Sequence, residues 1–292
     1  MMFEAELNRK IEAINNALEE YLKPRYPEII YEAMGYSIMA GGKRLRPMLM
    51  LAACEAEGGN EADVMPYACA LEMIHTYSLI HDDLPEMDND DFRRGKPTCH
   101  KQFDQGIAVL AGDGLLTYAF EVMLKKACES FEAKFVKAAE VAARLSGSCG
   151  MLVGQVVDVT SEGKEIDSQT LDYIHKNKTG GLIKIALMNG AILAGADDNK
   201  VKEYEAMGDK LGLAFQIMDD ILDVTSSEEV LGKPVFSDEK NQKVTYVSMY
   251  GIEKAKQDYF ELCKAVNETA EKLGGKDGFL VKYCQSLVNR IK

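Results

Sequence analysis

Two groups of aspartates carry the chemistry this sequence offers, Asp82-Asp83-Leu84-Pro85-Glu86-Met87-Asp88 and Asp219-Asp220-Ile221-Leu222-Asp223. Each stands at the end of an apolar, helix-like run. Carboxylates this close repel one another and lose hydration near apolar surface, so a purely structural role would be costly. A hard divalent cation relieves both penalties. Mg²⁺ is held by one or two carboxylates and completes its octahedron with water and phosphate oxygens. Two such groups facing each other would cradle a diphosphate. A calcium loop fails, because the sixth position counted from Asp88 is Arg93 where Gly is needed. A carboxylate-bridged di-iron site fails too, for want of a pair of Glu-x-x-His motifs.

The elements that position these acids are helices. Asp219 and Asp223 are four residues apart and share one helix face, while Asp220 points away. The run before them, 211–218, is apolar except for Gln216, which falls near the Asp219 face. Asp82 and Asp83 finish another helix, and Asp88 returns from the loop beyond Pro85. Cations accompany the acids. Gly41-Gly42-Lys43-Arg44-Leu45-Arg46-Pro47 sets three beside a glycine turn and a helix start, which suits an anion. Arg93-Arg94-Gly95-Lys96 follows the first acidic group, and Lys233, Lys240 and Lys243 follow the second. Any one of these stretches alone reads as solvated surface. Their pairing with the acids is what points to phosphate.

Composition narrows the field. The 292 residues carry a net charge of −13, which excludes a general nucleic-acid partner. Seven cysteines without CxxC spacing argue against a disulfide framework or a zinc site. The first ten residues lack an apolar signal core, and the best membrane-length candidate, 181–196, is interrupted by Lys184. The expected location is the cytoplasm, with no membrane partner. Phe3, Leu7, Ile11, Ile14, Leu18 and Leu22 recur at helical spacing until Pro24. No proline interrupts the chain between Pro97 and Pro234. The segments 182–194 and 211–224 are apolar nearly all round, the mark of helices at the centre of a bundle. Alternating β-branched runs are nearly absent, so a sheet has little support. The expectation is an all-α chain, a single domain over residues 1–292.

The motifs Asp82-Asp83-x4-Asp88-x4-Arg93-Arg94, Lys178-Thr179, Phe215-Gln216-x2-Asp219-Asp220-x2-Asp223 and Gly232-Lys233 resemble those of the trans-isoprenyl diphosphate synthases. The similarity covers nearly the whole chain and looks nearest to the bacterial short-chain farnesyl diphosphate type. It implies a large helical bundle around a deep central cavity, in a homodimer. It further implies that Asp82, Asp88 and Asp219 ligate Mg²⁺ (or Mn²⁺ in its place), with Asp83 and Asp223 supporting. Arg93, Lys178 and Lys233 would bind the allylic diphosphate. Lys43, Arg46, His75 and Arg94 would hold isopentenyl diphosphate, and Thr179 and Gln216 would lie near the developing carbocation. Lys243 joins the substrate-binding set, although Phe236 replaces the family's usual Gly and leaves the contacts of this loop open.

Tyr77 and Ser78 lie one helical turn before Asp82. The resemblance makes a large aromatic at Tyr77 a floor that stops growth at fifteen carbons; the plain alternative is a core tyrosine. His75 reads equally as a core histidine, and the resemblance turns it toward function, while His81 is expected to be structural. Three other readings stay open: a geranylgeranyl diphosphate synthase, a class I terpene cyclase and a non-catalytic synthase subunit.

Overall fold

The computed structural model describes residues 2–225 and 243–288. In chain order it comprises α1 (Met2–Tyr21), α2 (Glu28–Ile38), α3 (Leu45–Ala56), α4 (Glu61–Asp82), a hairpin of β1 (Phe92–Arg93) and β2 (Lys96–Pro97), α5 (Cys99–Gln102), α6 (Gln105–Ser130) and α7 (Ala133–Ser146). Then come α8 (Met151–Ser161), α9 (Ser168–Ile174), a π-helical turn (His175–Thr179), α10 (Gly180–Ala194), α11 (Asp198–Thr225), α12 (Tyr246–Tyr250), α13 (Ile252–Gly274) and α14 (Phe279–Val288). The fold is all-α, as the periodicity requires. The hairpin is the one departure among the described residues. Arg94 and Gly95 both take positive φ, 54° and 74°, which is the turn that closes a two-residue hairpin.

The core runs from Ile14 of α1 to Leu287 of α14, with α10 at its centre. Every residue of α10 from Gly180 to Leu193 is buried, and its neighbours are α3, α4, α7 and α11. The all-round apolarity of 182–194 is therefore a packing requirement. The reading of 211–224 holds less well, because Asp219 and Val224 are exposed and Leu213 and Phe215 are partly so. That helix, α11, packs against both α10 and α13. The acidic first turn of α4 and the Asn60 side chain, which accepts from the Ala62 N–H at 3.0 Å, fix where the helix bearing the first acidic group begins.

One helix escaped the hydropathy reading. Among the described residues, Gln105–Ser130 is long and apolar enough, by length and composition, to cross a membrane. Its buried alanines and Leu115 pack against α4, while Val109, Leu110 and Leu124 stay exposed.

Close backbone approaches set the wall that carries Lys178 and Thr179. A Cβ at Gly212 of α11 would lie 2.7 Å from the Gly180 Cα, and one at Gly154 of α8 would lie 2.8 Å from the Lys178 Cα. Neither helix could come so near the π-helical turn with a larger residue. The turn also buries His175, which stacks on Tyr246 at 6.4 Å with its Nδ1 left without a hydrogen-bond partner. Burial pushes the His175 imidazole down to about 4.

The unfolded chain takes up that proton near pH 6.5 and the folded chain near 4, so this contribution to stability is complete above pH 6.5. It declines as the pH falls through that interval. The 2.5-unit gap corresponds to about 3 kcal/mol. Urea unfolding at pH 7 and pH 5 is expected to show a loss that is clearly smaller in His175→Gln.

Candidate active site

A cavity of about 790 Å³ opens between α3, α4, α6, α8, the π-helical turn and α10. Much of its lining is apolar or aromatic, with Tyr77, Leu84, Val109, Met151, Leu152 and Leu182; Asp82, Lys178, Thr179, Arg46 and His75 also line it. Asp82 is the last residue of α4 and accepts a 2.9 Å hydrogen bond at Oδ1 from the Gln155 amide of α8. Burial raises its carboxyl to about 6; Asp88 and Asp83 add to the rise while Lys178 and Arg93 oppose it. The loop then folds back on the helix end. The Asp88 N–H donates to the Asp82 carbonyl at 2.8 Å, which returns Asp88 to the rim as the Pro85 break foretold. Lys243 Nζ reaches Asp88 Oδ1 at 3.3 Å.

Asp83 faces the other way. It is buried against Arg93, whose Nε and Nη2 donate to it at 2.8 and 2.5 Å, in a crevice behind the cavity wall. Burial holds its carboxyl above the usual range despite that partner. The structure thus places Asp83 and Arg93 on each other and brings neither to the cavity wall.

The basic stretch before α3 divides in two. Arg44 is buried with Glu72 at 2.9 Å and also donates to the Asn15 side chain and the Ile38 carbonyl. It is a satisfied structural cation, a role its sequence neighbourhood concealed. Arg46 lines the cavity, and its Nε is buried without a hydrogen-bond partner. Burial draws its guanidinium down to about 10; Arg94 adds to that, and Glu72 and Asp219 oppose it. Arg94 rests on the glycine turn, donating to the Gly41 carbonyl, and a Cβ on Gly42 would strike its guanidinium. Lys43 is exposed in the same turn. Burial first, then Arg46 and Arg94, hold the His75 imidazole well below its ordinary value. An arginine with a buried, unpaired Nε beside a histidine and a second arginine is a place for an anion.

The second acidic group connects to the cavity through α11. The Thr179 hydroxyl donates to Gln216 Oε1 at 2.9 Å, and the Gln216 amide donates to Asp220 Oδ1 at 3.0 Å. Asp220 also accepts from the Tyr246 N–H at 2.6 Å, so it ties α12 to α11. Asp219 is exposed and within electrostatic reach of Arg46, whereas Asp223, one turn on, is buried. The shared face inferred from spacing is covered unevenly. Lys233 and Phe236 lie outside the described residues.

Sequence reasoning passed over α8. Gln155 holds Asp82, and Asp158 Oδ2 accepts from Lys178 Nζ at 2.6 Å. Their spacing, with Glu162 four residues on, marks one helix face and was available as a signal. His81, expected to be structural, lines the cavity edge-on to Tyr77 at 5.7 Å and bonds the Val109 carbonyl at 3.1 Å.

The donor set suits Mg²⁺. It is built of carboxylate oxygens, and no cluster of three His, Cys, Asp or Glu residues forms a ready cage among the described residues. An ion that needs only one or two carboxylates and takes phosphate oxygens for the rest fits that pattern.

The polyprenyl synthetase family model matches residues 27–277. The chain is 47% identical over 253 residues to the farnesyl diphosphate synthase of Geobacillus stearothermophilus, covering 86% of this chain and 85% of that one. It is 46% identical over 285 residues to the chloroplastic geranylgeranyl pyrophosphate synthase 7 of Arabidopsis thaliana, covering 97% and 81%. The solved geranyltransferase of Helicobacter pylori, complexed with magnesium and isoprenyl diphosphate, matches at a TM-score of 0.84 with 33% identity over 98% of this chain and 96% of that one. The chain belongs to the polyprenyl synthetase family and is a trans-prenyl diphosphate synthase.

Proposed function

We propose that the protein joins isopentenyl diphosphate head to tail to dimethylallyl or geranyl diphosphate, releasing pyrophosphate and stopping at the fifteen-carbon farnesyl diphosphate. The observation that carries this reading is the cavity, an apolar shaft with Tyr77 in its wall and Asp82, Lys178 and Arg46 among its polar lining. Asp82, Asp88 and Asp219 would hold Mg²⁺, or Mn²⁺ in its place, with Asp83 and Asp223 behind them. The ion would supply charge neutralisation for the departing pyrophosphate.

The chain's own groups do the rest. Lys178 and Lys243, with Lys233 and Arg93, offer cations to the allylic diphosphate, and Arg46, Arg94, Lys43 and His75 offer theirs to isopentenyl diphosphate. Holding the two substrates in one shaft sets the alkene within attack distance of the allylic carbon. Because the Thr179 hydroxyl hydrogen is committed to Gln216, the Thr179 oxygen keeps lone pairs for the developing positive charge. The apolar wall excludes water, which would capture that charge. The proton lost at the end has pyrophosphate as its nearest base. A cyclase would have no use for the Arg46, Arg94 and His75 group, and a non-catalytic subunit no need of two full acidic groups. We also propose a homodimeric, cytoplasmic enzyme, and the exposed Leu110 and Leu124 of α6 are apolar surface that a second copy would cover.

A twenty-carbon product is the second reading, favoured by the near-equal identity to the Arabidopsis relative. The purified chain, given Mg²⁺ with dimethylallyl and isopentenyl diphosphates, is expected to make mainly the fifteen-carbon chain. Tyr77→Ala is expected to shift it to twenty carbons or more. Chromatography of the dephosphorylated products decides, and an unchanged length would remove Tyr77 from the floor. Arg46→Gln is expected to raise KM for isopentenyl diphosphate roughly ten- to hundred-fold, as loss of a charged contact does. Steady-state kinetics should find the KM for the allylic substrate changed far less.

A further inference from the structure

Lys243 is the cation that joins the acidic rim to α8. Its Nζ lies 3.3 Å from Asp88 Oδ1, 3.3 Å from Glu162 Oε1 and 3.8 Å from Asp158 Oδ2. The side chain is only 18% exposed, so these contacts are shielded from bulk water. Asp158 also takes Lys178 at 2.6 Å, and Asp83 is occupied by Arg93. In contrast, the bond that Asp82 accepts comes from the neutral amide of Gln155. Asp88 and Asp158 thus each contact a lysine directly, whereas Asp82 is hydrogen-bonded by a dipole and feels Lys178 only through space.

We propose that Lys243 is an internal counter-ion for Asp88, standing where a divalent cation must stand and keeping that carboxylate from metal until a diphosphate draws the lysine away. The inference rests on the reading of this rim as a metal–diphosphate site and adds an order of events to it. Asp88 cannot give the same oxygen fully to an ammonium and to Mg²⁺, so the two compete. An arriving diphosphate offers Lys243 and Lys178 a stronger anionic partner than the carboxylates they hold. Their departure bares Asp88 and Asp158 just as phosphate oxygens arrive to complete a metal's shell. By linkage, metal and diphosphate each strengthen the other's binding, and the lysine exchange is the coupling element. No bond is made or broken in this exchange.

The test uses metal without substrate. Free Mn²⁺ is titrated by electron paramagnetic resonance against the wild type, Lys243→Gln, Lys243→Met, Lys243→Arg and Lys178→Gln, with folding checked by thermal unfolding. Lys243→Gln and Lys243→Met are expected to bind Mn²⁺ about ten-fold more tightly than the wild type, the scale of one shielded charge contact. Lys243→Arg, which keeps the charge, should match the wild type. Lys178→Gln removes a cation that touches Asp158, reaches Asp82 only through space and does not touch Asp88, so it should gain clearly less. Unchanged or weaker binding in both neutral Lys243 variants overturns the proposal. An equal gain in Lys178→Gln also overturns it, because general charge and not occupancy of Asp88 would then be at work. Failure of the wild type to condense its substrates would instead refute the functional reading, and the Mn²⁺ titration does not depend on that assay.

Discussion

Everything at the mouth of this cavity follows from a carboxylate set on the lip of an apolar shaft. Asp82 ends a long, largely buried helix, and its acidity is displaced to about 6 because burial and its acidic neighbours outweigh the nearby cations. A neutral amide from α8 satisfies part of its hydrogen-bonding capacity and none of its charge. The fold supports this unfavourable arrangement through the rigidity of α4, which packs on α3 and α6 over much of its length. Arg44 and Glu72 behave oppositely, since each buried charge meets its complement and nothing is left for a ligand. Charged groups in this bundle therefore sort by satisfaction. The satisfied pairs hold helices together, and groups such as Asp82 and Arg46, left with charge or a donor to spare, face the cavity.

Much of this was legible in the sequence, for reasons that are local. Acids at i and i+4 after an apolar run must share a helix face whatever the tertiary structure does, and Pro85 must interrupt α4. The all-round apolarity of 182–194 could only mean a central helix. What could not be read was who pairs with whom. Arg44 and Arg46 are two residues apart, yet one is locked to Glu72 and the other left with an orphan Nε. That difference depends on α4, twenty-eight residues further on. The same holds for Asp83, which turns from its neighbour Asp82 toward Arg93. The α8 face that holds Asp82 and Lys178 carries a signal in its spacing, but a glutamine and an aspartate on a surface-like helix do not say which partners they hold. α6 escaped the hydropathy reading for a related reason: its apolar residues serve both a buried and an exposed face, and hydropathy cannot separate the two.

The geometry also separates two properties that a prenyl synthase must control. In the proposed reading, ionisation would depend on the rim and product length on the depth below it. Both are borne by α4, because Asp82 and Tyr77 are five residues apart on one helix, about 7.5 Å of axial rise. On the proposed reading, that interval on a helix packed on two sides would work as a fixed ruler whose zero is the diphosphate and whose stop is the aromatic ring. The stop can change without moving the zero. Tyr77 touches His81 edge-on, and His81 is fastened to α6 through the Val109 carbonyl, so the ring is braced by a second helix. Relatives of nearly equal identity that carry fifteen- and twenty-carbon names are what such a construction would produce. On that reading a few side chains at the floor would alter length, while the electrostatic requirement at the mouth would keep the rest of the bundle the same.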